Sequence, residues 1–120
     1  MADKHQLYFY QATPSPNLSG EPTFVAPWEP TNRQLIDDLQ TYFATVPSVQ
    51  RAYFVRLEAP WPEVGLGLAS AGLEEPEIVN RSTFIWNWHL GRSAPLLVFA
   101  VPRSLEPRLV AVCHPFYAAA

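Results

Sequence analysis

The chain has 120 residues, a net charge of −3 and 48% hydrophobic residues, and its eight Lys and Arg residues lie singly along it. This composition predicts one folded domain, and scattered cations in an acidic chain argue against binding to nucleic acid. Because no apolar run approaches the roughly 20 residues of a membrane span and the single cysteine excludes an internal disulfide framework, we expect a cytoplasmic protein with no membrane contact.

The first 22 residues are predicted to add a strand and a loop to the domain. Leu7 to Tyr10 is a β-prone aromatic run, expected at a sheet edge, and the stretch from Thr13 to Pro22 is rich in Pro, Asn, Ser and Gly. Residues 23–120 are predicted to form the main body of one globular unit, beginning with a short strand over Thr23–Ala26.

Residues 31–46 carry the pattern of a capped amphipathic helix. Thr31 and Gln34 fit a capping box, so we expect Thr31 to be the N-cap. Five apolar residues recur at helical spacing and form one stripe: Leu35, Leu39, Tyr42, Phe43 and Val46. Pro47 is expected to end the helix.

Two alternating segments predict an antiparallel pair of strands. Residues 49–58 place Ala52 and Phe54 on one face and Tyr53 and Val55 on the other. After the turn at Pro60-Trp61-Pro62, the residues between 64 and 69 alternate large and small, which leaves one face thin. A helix is the simplest element to pack closely against that face, and a bound ligand is the alternative occupant.

The remaining elements are a second helix, a buried strand and a short helix. The second helix is predicted to begin at residues 74–77, and residues 84–90 favour its continuation, with a strand as the alternative. The apolar run Pro95–Val101 predicts a central strand, buried on both faces. Ser104 is expected to cap a short helix within 104–113, although a strand over 108–113 also fits.

This order of elements predicts an α+β fold. We expect a single domain with a mixed sheet of four to five strands, packed against two main helices and a short C-terminal helix.

Several of these segments together are similar to a known family. The chain passes from Phe24–Pro30 through a helix ending in Phe43–Pro47 to the strand Val49-Gln50-Arg51-Ala52-Tyr53, and it later closes on Pro115-Phe116-Tyr117. This pattern resembles the C-terminal domain of enhanced serine sensitivity proteins, the SseB-like family, over most of residues 23–117. The resemblance implies a small bacterial, non-enzymatic protein and supplies no catalytic residues.

The residues with chemical potential do not form a reactive set. Cys113 and His114 are the only adjacent nucleophile and base, and neighbours on a helix or strand diverge, so they are not expected to pair. The three histidines lack the spacing of metal ligands, and the acidic clusters fit first helical turns and polar faces. We therefore expect no enzymatic activity, no metal and no cofactor.

The aromatic residues give the strongest indication of function. Tryptophan is enriched in binding hot spots, and exposed aromatic patches commonly mark contact surfaces. The candidate interaction surface consists of Trp28, Trp61, Trp86, Trp88, Tyr8, Tyr10 and Arg56. The competing interpretation is that these rings close the ends of a small core.

Two functional hypotheses follow from the aromatic content. The first is a protein-interaction or adaptor module that binds a partner or its own copy, a class that includes immunity proteins that block toxins. The second is a sensor domain for a small molecule, an amino acid being one option, with a pocket lined by Trp86, Trp88 and Tyr53.

Overall fold

A computed structural model describes residues 23–30, 32–59, 61–70, 76–91, 94 and 96–119 of the chain. It confirms the α+β fold, with a mixed five-stranded sheet and three helices. In chain order the elements are β1 (Phe24–Pro27), α1 (Arg33–Phe43), β2 (Val49–Leu57), β3 (Val64–Ser70), α2 (Pro76–Leu90), β4 (Leu96–Ala100), α3 (Glu106–Val110) and β5 (Tyr117–Ala118). Within the described ranges, no helix is long and apolar enough to cross a bilayer.

Strand β2 organises the sheet, because three strands pair with it in antiparallel fashion. β3 takes one edge of β2, and β1 and β5 share the other edge at opposite ends. β4 pairs in parallel with β3, and α2 forms the crossover between them. The predicted edge strand at Leu7–Tyr10 lies outside the described residues.

Helix α1 begins one residue later than the capping box predicts. Asn32 is the N-cap, and its side-chain oxygen accepts a hydrogen bond from the backbone N–H of Gln34 at 2.9 Å. Two neighbouring residues, Thr31 and Asn32, are both good cap formers, so sequence alone favoured the wrong one. Of the predicted apolar stripe, Leu35, Leu39 and Phe43 are buried and Tyr42 is half-buried. The helix ends at Phe43, so Val46 lies beyond it and the prediction that Pro47 ends the helix is wrong.

The alternation of β2 divides the core into two clusters, one on each face of the sheet. Ala52 and Phe54 lie on one face, as predicted, in the cluster that α1 and α2 cover. Tyr53 and Val55 lie in the opposite cluster, which also holds Leu109 of α3. The pleat of one strand therefore decides which helix each side chain contacts.

The thin face of β3 is filled by side chains from neighbouring strands, which corrects the expectation of a helix there. A Cβ atom on Gly67 would lie 2.9 Å from Phe99 Cζ and 2.9 Å from Val101 Cγ2. A Cβ on Gly65 would lie 2.9 Å from both Leu57 and Phe99. The absence of a side chain at both glycines leaves the space that the Phe99 ring occupies.

Strand β4 is buried on both faces as predicted, but it does not lie at the centre of the sheet. Among the described strands it pairs with β3 alone and ends the order β1-β2-β3-β4. A continuous apolar run indicates that both faces of a strand are covered. Layers that cover both faces of a sheet bury a strand at its end as well as a strand at its centre.

The two ambiguous segments are both helical. Residues 84–90 belong to α2, which ends before Gly91, where φ is +85° and favours glycine. α3 is the predicted short helix, but Leu105 is its N-cap without a side-chain bond, so the prediction that Ser104 caps it is wrong. The two-residue β5 was not predicted, because so short a strand has no periodicity.

Candidate functional site

The predicted interaction residues that the structure describes do not form one surface. Trp86 is a core residue, since its side chain is 2% exposed and its Nε1–H donates to the carbonyl oxygen of Ala94 at 2.8 Å. Trp28 is half-buried, with its ring centroid 5.0 Å from that of Phe54 and 5.3 Å from that of Trp86. The proposal of Trp86 as a surface contact is therefore corrected, and Trp28 offers only part of its ring.

The other candidates are spread over the molecule. Trp61 is half-buried and packs against the opposite core cluster, and Arg56 is exposed with Nη2 3.7 Å from Glu63 Oε2. Tyr8 and Tyr10 lie outside the described residues. The predicted pocket of Trp86, Trp88 and Tyr53 is not formed, because these rings lie in one core, on the outer surface and in the other core.

Among the predicted interaction residues that the structure describes, Trp88 is the one tryptophan that is largely exposed to solvent, and it has an exposed aromatic neighbour. Trp88 is 75% exposed and Phe84 is 60% exposed, one helical turn apart on α2. Their rings stack with centroids 6.4 Å apart and an interplanar angle of 29°. Arg81 extends the same helical face, since positions 81, 84 and 88 follow the helical repeat.

These residues form one wall of a groove between α1 and α2. The groove has a volume of about 510 Å³. It is lined by Asp38, Thr41, Tyr42, Thr45, Arg81, Phe84, Ile85 and Trp88. Apart from Arg81, its α2 side is apolar, and the two threonines on the opposite side give it a polar rim, which is the usual build of a contact surface.

A hydrogen-bond chain fixes the two walls of the groove against each other. His89 Nε2 lies 2.7 Å from Asp38 Oδ2, and His89 Nδ1 lies 3.2 Å from the side-chain nitrogen of Asn32. Gln34 donates from Nε2 to the second Asp38 oxygen at 3.2 Å. The hydrogen bonds from His89 and then Gln34 lower the pKa of Asp38 below its ordinary value.

Arg81 carries the available charge in the groove. Both oxygens of Asp38 are already engaged, and Arg81 forms no ion pair with any residue in the described ranges. Phe84 and Arg81 were missed as site residues. Their signal is present in the sequence, because a helix from 76 to 90 places them with Trp88 on the side away from Ile78 and Trp86.

A second cavity, of about 670 Å³, lies near the N-terminus of α1. Its aromatic lining includes Trp28, Phe54 and Phe116, and the last two rings stack with centroids 4.8 Å apart. Arg33 and Gln40 supply polar groups, although Gln40 Nε2 already donates to the carbonyl oxygen of Phe116 at 2.6 Å. This cavity mixes a stacking surface with hydrogen-bonding groups.

The Cys113-His114 pair is not arranged for nucleophilic chemistry. Cys113 is 4% exposed, and its Sγ lies 3.7 Å from the carbonyl oxygen of Leu109. Burial raises the pKa of the Cys113 thiol to about 11, so the thiol stays protonated at neutral pH. His114 is exposed, with no contact to the thiol among the described hydrogen bonds. In the described ranges no three His, Cys, Asp or Glu side chains are placed to bind a metal.

A polar cluster on the other side of the sheet fastens α3. Glu106 accepts hydrogen bonds from Arg51 Nε at 2.6 Å, from Arg51 Nη2 at 3.0 Å and from the Tyr53 hydroxyl at 2.6 Å. The hydrogen bond from Arg51 lowers the pKa of Glu106, and burial raises the pKa of Tyr53 to about 12. Arg51 and Tyr53 of β2 both donate to Glu106 of α3, so the cluster attaches α3 to the sheet.

No protein-family model, no curated protein and no solved structure matches this chain. The resemblance to the SseB-like family therefore stays a prediction, and the functional argument rests on the residues of the groove and the cavity.

Proposed function

We propose that this protein is a non-enzymatic interaction module that docks a protein surface in the groove between α1 and α2. The observation that carries the proposal is the stacked Phe84–Trp88 pair, two large rings that are 60% and 75% exposed beside a groove. Burial of apolar surface is the main favourable contribution to most protein association, and aromatic anchors dominate many interfaces.

The groove is also preorganised in the free protein. Stacking restricts the rings of Phe84 and Trp88, and the chain from Asn32 through His89 to Asp38 holds α1 against α2. Ordering of side chains on binding costs about 0.5–1.5 kcal/mol for each mobile side chain, so a preorganised surface retains more of its contact energy.

An adaptor role in the cytoplasm of a bacterium agrees with the SseB-like resemblance, and an immunity protein that blocks a toxin belongs to the same class. Both roles need a contact surface and no reacting group. We therefore propose binding, without a chemical step, as the activity of this chain.

Site-specific photo-crosslinking tests the proposal. A benzophenone amino acid replaces Phe84 in one sample and Val110 in the matched control, because Val110 is also an exposed apolar residue but lies on α3. After illumination in cells, we expect a protein adduct from position 84 and none from position 110. A folded protein that yields no adduct at position 84, or equal adducts at both positions, contradicts the proposal.

A second candidate function is the binding of a small molecule in the cavity at Trp28. The combination of stacked aromatic rings with Arg33 and Glu29 favours a ligand that has a flat apolar part and groups of both charges, as an amino acid has. The probe is a panel of the common amino acids at millimolar concentration, read by thermal shift. A rise in Tm that Arg33→Gln abolishes supports this function, and an unchanged Tm across the panel removes it.

A further inference from the structure

We infer that the surface docked in the groove belongs to a second copy of this chain, which packs its own α2 antiparallel to the first about a two-fold axis. This inference rests on the proposed function and adds the identity of the partner. Symmetric dimers use the same patch on both subunits, so the patch must be complementary to itself.

The sequence spacing on the exposed face of α2 meets that condition. An axis that passes between positions 84 and 85 sets position 81 opposite position 88, and position 84 opposite position 85. Arg81 then faces the partner subunit's Trp88, and Phe84 faces the partner subunit's Ile85. All four residues line the groove in this subunit.

The chemistry of each opposed pair is favourable. A guanidinium over an indole face gives a cation–π contact, for which Trp is the best acceptor among the aromatic side chains. Phe84 against an isoleucine buries apolar surface on both subunits. Because the axis repeats every contact, two Arg–Trp pairs and two Phe–Ile pairs form together.

Charges in the groove do not oppose this arrangement. The two copies of Arg81 lie seven positions apart along the paired helices, about 10 Å at 1.5 Å per residue. Asp38 is engaged by His89 and Gln34, so its carboxylate is not an unpaired anion facing the interface. Arg81 therefore contacts the indole ring of the partner subunit's Trp88. In the dimer the exposed rings of Phe84 and Trp88 are each covered by a side chain of the other subunit.

Sedimentation analysis of the full chain tests the dimer. We expect a concentration-dependent species of twice the chain mass of 13.5 kDa. Trp88→Ala and Arg81→Glu should each weaken the dimer by roughly tenfold or more, as hot-spot residues do. Val110→Ala and Arg103→Glu are the matched controls, because both residues are exposed and lie away from the groove, and they should leave the dimer unchanged.

A charge series tests the antiparallel register. If Arg81 faces the partner subunit's Trp88, Trp88→Glu creates two new ion pairs and Trp88→Lys creates two repulsions. Trp88→Glu should therefore dimerise more tightly than Trp88→Lys, although it makes an acidic protein more acidic. In an Arg81→Glu background the order of these two variants should reverse.

Three results would overturn the inference: a monomer at every concentration up to the millimolar range, a dimer that neither Trp88→Ala nor Arg81→Glu weakens, or a charge series without the reversal. If the chain is monomeric but position 84 still crosslinks to a different protein, the proposed function stands and only the second copy is rejected. If position 84 gives no adduct at all, both proposals fail.

Discussion

The two faces of the sheet are covered in different ways. On one face, α1 and α2 pack through large apolar side chains, and α2 also presents a second aromatic set to solvent. On the other face, the five-residue α3 is fastened by Arg51, Tyr53 and Glu106. The comparison indicates that the longer helix layer keeps exposed aromatic surface for a partner, while the short helix is held by polar contacts in addition to the buried Leu109.

Within the helical layer, Trp86 and Trp88 show how helical phase separates two roles. Trp86 is in the core with its N–H hydrogen-bonded, and Trp88, two positions later, is 75% exposed. The same residue type therefore contributes to stability at one position and is available for binding at the other.

The largest expected effect comes from the buried ring. Trp86→Ala should lower the free energy of unfolding by about 3–5 kcal/mol, because it leaves a cavity against Trp28 and Phe54. Urea denaturation followed by circular dichroism measures this change. A loss of free energy of unfolding below about 1 kcal/mol would contradict the conclusion that Trp86 stabilises the core while Trp88 does not.

The next effect concerns the close packing under α3. Gly67→Ala should destabilise the protein by about 1–3 kcal/mol, since the new methyl group would lie 2.9 Å from both Phe99 and Val101. Adding Phe99→Leu should recover part of the loss in denaturation experiments. Gly91→Ala is not a suitable control, because its backbone has φ of +85° and strain would enter for another reason.

A smaller effect is expected at the polar fastening of α3. Glu106→Gln should lower the free energy of unfolding by about 1–2 kcal/mol, because it weakens the charged hydrogen bonds from Arg51. The effect is limited because the Arg51 side chain is partly exposed to solvent. In the folded protein the pKa of Glu106 lies below its ordinary value of 4.5. Between these two pKa values the unfolded chain therefore binds more protons than the folded chain. The contribution of Glu106 is therefore complete above pH 4.5 and is lost as the pH falls through the folded-state value.

Carbon-13 NMR titration of the carboxyl groups measures this shift directly, and denaturation at several pH values measures its consequence. Glu106→Gln should flatten the acid limb of the stability curve. An unshifted Glu106, or an acid limb that the variant leaves unchanged, would show that α3 is not held in this way.

The smallest effect on stability is expected at Trp88, the exposed tryptophan of α2. Trp88→Ala should change the free energy of unfolding of the monomer by less than about 0.5 kcal/mol, because the ring contacts mainly Phe84 and solvent. The measurement belongs at a protein concentration low enough to keep the chain monomeric. A large loss would mean that the exposed stack supports the fold, which would weaken its role as a docking surface.

Sequence reasoning succeeded where a periodic pattern met a buried face. The stripe of α1 and the alternation of β2 each predict their element and its inward side, and both are confirmed. The sequence did not predict the N-cap at Asn32, because two neighbouring residues can both cap the helix. It did not predict the position of β4 in the sheet either, because burial on both faces does not reveal a strand's neighbours.

The site was less accessible to sequence reasoning because it depends on contacts between distant segments. Asp38 and His89 are 51 positions apart, and Arg51 and Glu106 are 55 positions apart, so no local spacing reveals either pair. The tryptophans were grouped by residue type, and only the helical phase of α2 separates Trp86 from Trp88. With that helix assigned, the outward face of Arg81, Phe84 and Trp88 is readable from the sequence.

The crossover position of α2 has a consequence for local opening of the protein. This helix lies between the parallel strands β3 and β4 in the chain, and its buried Ile78 and Trp86 pack in the same core cluster as Leu66 and Val98 of those strands. Detachment of the helix would therefore expose the apolar face of both strands. Its amide hydrogens should therefore exchange with solvent at rates close to those of the two strands, as one cooperative unit. The surface proposed for binding would then persist for as long as the sheet itself remains closed.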